Sequence, residues 1–113
     1  MAVSGAYTVT GNTVTLTAAT SAPTPVQCSS VTLGGNQYRV INSSSTTGCF
    51  LSFAADAATA TSNCVIPTGG TPTRTLYLLP NTDEVITFVP GAYFTAITSS
   101  GTAVLYISPG DGM

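Results

Sequence analysis

Residues 83–113 read DEVITFVPGAYFTAITSSGTAVLYISPGDGM. Strand-forming Val, Ile, Tyr, Phe and Thr alternate along this stretch, punctuated by Pro90-Gly91 and Ser100-Gly101. The spacing predicts a strand, a turn at Pro90-Gly91, and a hairpin closed by Ser100 and Gly101. With those two as the loop, Thr98 faces Ala103, Ile97 faces Val104, Ala96 faces Leu105, Thr95 faces Tyr106 and Phe94 faces Ile107. Side chains alternate across a strand. One face then carries Phe94, Ala96, Ala103, Leu105 and Ile107, a core face. The other carries Tyr93, Ile97, Val104 and Tyr106 around Thr95, and it is too apolar for water. Burying those four side chains is worth about 1.5–3 kcal/mol each, roughly 6–12 in all. That rivals the whole stability of a small domain, and an exposed patch of this kind marks an interface. The competing arrangement covers the hairpin on both sides within one chain, for which 113 residues offer little material.

Working back towards the N-terminus, the same alternation recurs between turn signals. Residues 5–17, GAYTVTGNTVTLT, predict a hairpin about Gly11-Asn12 that pairs Thr10 with Thr13 and Val9 with Val14. Tyr7, Val9, Val14 and Leu16 share its dry face, and threonines fill the other. The alternative is a loose arm over residues 1–10, laid on a neighbouring subunit. Pro23 and Pro25 make 18–25 a loop. Strands are expected at 26–33, at 37–42 with Tyr38, Val40 and Asn42 on one face, and at 49–54 with Cys49, Leu51 and Phe53 on one face. Asp56 heads an alanine-rich run and can cap one helical turn. Further strands are expected at 62–66, at 74–79, and from Val85 onward. The result is about eight short antiparallel strands with turns every 8–12 residues, which reads as an all-β chain folded as a single β-sandwich or jelly-roll-like domain over residues 1–113.

Charge narrows the function. Only six side chains are charged: Arg39, Asp56, Arg74, Asp83, Glu84 and Asp111. Net charge keeps free proteins apart in solution. A chain this neutral is expected to be covered by copies of itself or by a partner, the alternative being a Thr-rich domain kept in solution by its hydroxyls. Two arginines cannot neutralise a run of phosphates, so no nucleic acid is expected. No apolar run reaches membrane-spanning length, so no membrane span is expected. No basic leader precedes an apolar segment at the N-terminus.

Catalytic constellations are missing from the residue inventory. There is no His and no Lys, hence no Ser-His or Cys-His pair and no Schiff-base amine. Asp83 and Glu84 are neighbours in a strand, so they point to opposite faces and read as solvated. Cys28, Cys49 and Cys64 are odd in number and lack a CxxC pair, which fits buried thiols better than a disulfide framework or a zinc site. A Cys49–Cys64 disulfide is the remaining alternative. Asp111-Gly112 reads first as a turn signal and only second as a calcium ligand, because one carboxylate falls far short of the six to eight oxygens that calcium takes. No catalytic, cofactor or metal residue is therefore assigned. The candidate interface residues are Tyr93, Ile97, Val104 and Tyr106, with Arg39 and Arg74 as anchors for a neighbour's carboxylates.

The closing residues also resemble a family. Phe88, Pro90, Tyr93, Phe94, Ala96, Ile97, Ser100-Gly101-Thr102-Ala103, Leu105-Tyr106-Ile107 and Pro109-Gly110-Asp111-Gly112 are similar to the ending of small virion structural proteins of tailed bacteriophages. The resemblance covers about the last 30 residues, and the first two-thirds of the chain carry no motif of that family. It implies a non-enzymatic β-sandwich oligomer, a trimer by preference, that decorates or cements the capsid surface and binds the phage major capsid protein. The alternative from another class is a secreted or cell-surface β-sandwich adhesion module.

Overall fold

A computed structural model describes residues 8–9, 12–28 and 36–111. Among them are nine strands and one helix: β1 (Thr8–Val9), β2 (Val14–Ala18), β3 (Val26–Gln27), β4 (Gln37–Asn42), β5 (Cys49–Ala54), α1 (Ala57–Asn63), β6 (Leu76–Leu78), β7 (Thr82–Thr87), β8 (Tyr93–Ile97) and β9 (Ala103–Asp111). The strands form two antiparallel sheets. In the first, β9 lies between β4 and an outer lane shared by β1 and β2, and β7 lies beyond β4. In the second the order is β3-β8-β5-β6. The fold is an all-β sandwich, as the alternation predicts.

The core is where the two inner faces meet. Leu16, Tyr38, Val40, Leu105 and Ile107 of the first sheet pack on Cys49, Leu51, Leu78, Phe94 and Ala96 of the second. The Tyr38 and Phe94 rings meet edge to face across the sandwich at 4.8 Å. The Tyr38 hydroxyl donates to Val89 O at 2.7 Å and accepts from Ala92 N at 3.2 Å. It thereby fixes the Pro90-Gly91 turn, where Gly91 takes φ +75°. Tyr38→Phe keeps the ring and strands both backbone groups, so it is expected to cost about 1–3 kcal/mol. Urea unfolding of the variant against the parent checks this.

Three expectations need correction. The closing stretch is not a hairpin, because β8 and β9 belong to different sheets. β8 pairs with β3 and β5, and β9 pairs with β2 and β4. The turn at Ser99–Gly101 carries the chain across the sandwich as an arch. Thr98 Oγ1 donates to Gly101 O at 2.7 Å, while Thr98 N donates to Ala19 O at 2.9 Å. Phe94, Ala96, Ala103, Leu105 and Ile107 are all buried as expected, but they face one another across two layers.

The N-terminal pairing also differs. β1 and β2 do not pair with each other. Both run antiparallel to β9, Val9 opposite Gly110 and Val14 opposite Ile107. The break in this lane lies opposite Ser108 and Pro109, and Pro109 has no N–H to give. Leu16 and Ala18 are buried and Thr13, Thr15 and Thr17 exposed, so the faces are right and the partner is not. Tyr7, Thr10 and Gly11, the rest of the proposed arm, and most of the 26–33 strand lie outside the described residues.

Third, the expected strand at 62–66 is absent. α1 runs through Asn63 instead, longer than one turn. Asp56 caps it, Oδ1 accepting from Thr59 N at 2.8 Å and Oδ2 from Thr59 Oγ1 at 3.0 Å. These two bonds hold the Asp56 carboxyl below its ordinary pKa. The helix lies on the outer face of β5 and β8. Small residues allow that close approach: Ala60 is buried, and Ser52 Oγ donates to Ala60 O at 2.7 Å. Thr95 Oγ1, on the same face, donates to Pro23 O at 2.8 Å. A seven-residue helix and a proline loop thus supply the covering layer that chain length seemed to forbid.

Candidate functional site

The four apolar interface candidates do not form one surface. In a hairpin they would share a face. Split between two sheets, they end on opposite outer faces of the sandwich. Tyr93 and Ile97 flank the buried Thr95 on the outside of β8 and are half-buried. Val104 and Tyr106 lie on the outside of β9, where Tyr106 is 39% exposed among Thr15, Thr17 and Ile41.

The two arginines have separate fates as well. Arg39 Nε and Nη2 both donate to Asp83 Oδ2, at 3.0 and 2.8 Å. This exposed pair joins β4 to β7 within the chain, so Arg39 is not held open for a neighbour's carboxylate. Pairs of this exposure are worth at most about 1 kcal/mol. Arg74 sits just before β6, exposed, with no ion pair among the described residues.

Arg74 is on the rim of a cleft of about 490 Å³. The cleft opens where the edges of the two sheets part, beside β6 and the end of β7. Phe53, Leu76 and Phe88 form its floor, the Phe53 and Phe88 rings edge to face at 5.0 Å. Asp56, Thr59 and Asn63 form the opposite rim. The volume is in the range of ligand pockets. The charged rim groups are one free guanidinium and one carboxylate already engaged as a helix cap.

Four of the six exposed large apolar side chains among the described residues lie in or beside β6 and β7. Tyr77, Leu79, Val85 and Val89 are all exposed, Leu79 to 58%. β6 and β7 are edge strands of their sheets, and Tyr77 lies on the outer face of the second sheet opposite Phe50 while Val85 lies on the outer face of the first opposite Arg39. Tyr77 is held in place: its ring stacks on Phe50 at 4.7 Å, and a Cβ on Gly48 would collide with its hydroxyl. An aromatic ring already fixed loses little entropy on docking.

Nucleophilic chemistry finds little here. All three cysteines are buried and unpaired. Burial pushes the Cys28 thiol up to about 12 and those of Cys49 and Cys64 up to about 11. A thiol kept protonated in this way is a poor nucleophile. No three potential metal ligands converge among the described residues. No helix there is long and apolar enough to cross a membrane.

The sequence reading missed the apolar side chains of β6 and β7 because it weighed apolar residues by strand register. Tyr77 and Val85 lie in edge strands and Leu79 just after one, where alternation says little about which side is covered. Comparison with protein families, with curated proteins and with solved structures gives no match.

Proposed function

We propose that the chain is a non-enzymatic assembly subunit of a tailed-phage virion. It decorates or cements the capsid surface through contacts with copies of itself and with the major capsid protein. The observation that supports this reading is that four exposed apolar side chains, Tyr77, Leu79, Val85 and Val89, lie in or beside the edge strands β6 and β7 of a chain with six charges. Exposed apolar side chains along sheet edges suit contact with another chain better than contact with water. β6 and β7 each leave one edge unpaired among the described residues, and open edges invite pairing with another chain. The closing residues 88–112 support the virion setting through their resemblance to phage structural proteins.

Light scattering of the full chain over a range of concentrations, with immunogold labelling of virions made by the encoding genome, tests it. The expected result is a concentration-dependent oligomer and gold on the particle shell. A monomer at every concentration, with unlabelled particles, would overturn the proposal. The cleft beside Arg74 favours a second reading, the secreted or cell-surface binding module. Glycan binding by a chain that does not self-associate would put that reading in place of the first.

A further inference from the structure

The two sides of β5 are not equally used. On the β8 side its ladder runs from Phe50 to Ala54. On the β6 side it runs only from Cys49 to Leu51, and Leu51 pairs with Leu76. Continued by two residues, that ladder would bring Arg74 opposite Phe53. The chain bends at Arg74 instead. Ser52, Phe53 and Ala54 therefore have no partner strand on this side among the described residues. The cleft of about 490 Å³ opens over the vacated lane. Phe53 and Ala54 line it from β5, Arg74 and Leu76 from the diverging segment, and Phe88 from just beyond β7.

A lane with open backbone, an apolar floor and a cation at its rim has a definite complement. An extended segment added to a sheet gains main-chain hydrogen bonds, and pockets for its alternate side chains select it. We propose that the cleft takes up an extended peptide segment of a different protein, laid along β5 in the lane that β6 leaves. An apolar side chain of that segment rests on Phe53 and Phe88, and a nearby acidic side chain meets Arg74. The inference rests on the assembly reading above and narrows its contact with another protein to one cleft.

Charge selects the acid. Arg74 is exposed, with no ion pair among the described residues. Asp56, on the opposite rim, already accepts from Thr59 through both oxygens. The chain itself does not supply the segment. Asp83 and Glu84 lie in β7, paired with β4, and Asp111 lies in β9, paired with β1. The residues outside the described ones contain no acidic side chain. A second copy therefore lacks a spare acidic strand to insert, and the partner is a different chain.

Panning a display library of random heptapeptides on the full chain tests this. The enriched peptides are expected to carry an apolar residue close to an acidic one. Arg74→Glu is expected to weaken their binding at least about tenfold, and Lys in place of the peptide's acid to restore binding to that variant. Arg39→Glu makes the same charge change on the outer face of the other sheet and is expected to leave binding unchanged. Hydrogen exchange at residues 52–55 is expected to slow with peptide bound, because strand addition covers backbone and a side-chain contact alone does not. Thermal unfolding of each variant confirms that it folds. No enriched peptide, peptides that bind Arg74→Glu as they bind the parent, an equal loss in Arg39→Glu, or unchanged exchange at 52–55 would each overturn the inference. Self-association and labelled particles would still support the assembly reading in that case. A monomer at every concentration, with unlabelled particles, would overturn the assembly reading itself.

Discussion

Asn42→Asp is expected to leave the chain unfolded at neutral pH and to regain part of its stability near pH 4. Asn42 is fully buried at the end of β4, on the inner face of the first sheet. Its Nδ2 donates to Thr47 O at 3.0 Å, Leu79 O at 3.2 Å and Leu78 O at 3.3 Å. Its Oδ1 accepts from Ser44 N at 3.0 Å. One side chain therefore ties β4 of the first sheet to β6 of the second and to the loop between β4 and β5. An aspartate keeps the acceptor and loses the donor, and three carbonyl oxygens then face a carboxylate. Stranding buried groups costs about 1–3 kcal/mol each, and an uncompensated buried charge adds several more. The total reaches the usual 5–15 kcal/mol stability of a domain.

The pH dependence has a definite sign. Burial among carbonyls raises the folded pKa of the new carboxyl above its unfolded value of about 3.9. Stability is then best retained below that value and falls as pH rises through the folded pKa. Asn42→Ala, which introduces no charge, should cost about 2–4 kcal/mol equally at both pH values. Urea unfolding of parent and variants at pH 4 and pH 7 checks both. An aspartate variant with the same deficit at each pH would show that water reaches the site. The loss extends to assembly. Asn42 anchors the chain entering the turn at 79–82, where Asn81 takes φ +58° and its N–H donates to Ser44 O at 2.9 Å. Freeing that turn frees β6 and β7, the edge strands on which the assembly proposal rests.

Much of this fold is written in alternation. Gln37–Asn42 and Cys49–Ala54 are strands with the expected inner faces, because each alternates over six residues and ends at polar turns. Asn42 is visible in the same way, since an amide at a core position must have a bonding role. Strand partnership is not written there. A hairpin and an arch share the same period-two signal and the same turn residues. They differ only in whether two strands meet by their edges or by their faces. For 93–107 the choice is made elsewhere, by β2 and β4 taking both edges of β9. The N-terminal lane went astray for the same reason. Val9 and Val14 suit a hairpin about Gly11-Asn12, yet each finds a longer partner in β9. The interface candidates inherited this error, because their common face depended on the hairpin. Arg74 was legible as an anchor only through the scarcity of cations. Its setting on the cleft rim depends on how β6 and β7 close the side of the sandwich.

Alkaline pH is the other strong lever on this chain. Cys28, Cys49 and Cys64 are buried, and burial raises their thiols from an ordinary 9.0 to about 12, about 11 and about 11. Tyr38 is raised above its ordinary 10.0 by the same cause. A raised folded pKa means that the folded chain holds protons which the unfolded chain releases. The stability these groups contribute is therefore complete below pH 9 and is lost as pH climbs towards the folded values. Each thiol contributes a slope of about 1.4 kcal/mol per pH unit, so three together approach about 4 kcal/mol per unit. The full slope holds only between the unfolded and folded values, so between pH 9 and pH 11 the loss is at most about 6 kcal/mol, within the range that unfolds a domain of ordinary stability. Tyr38 adds to it above pH 10. Urea unfolding in reductant from pH 7 to pH 11, with thiolate absorbance followed in parallel, is expected to show a flat region and then a steep fall. Thiolate should appear together with unfolding and not before it. Cys64→Ala should reduce the slope by at least about a third, because it removes one of three proton releases and also the Cys64 charge that helps to raise Cys49. Thiolate signal from a chain that is still folded at pH 10 would show that at least one of the three thiols is open to solvent. In that case the same cysteine would be a reactive surface group, and its place in the packing of Cys49 against Leu51 and Leu78, or of Cys28 against Ile107, would have to be withdrawn.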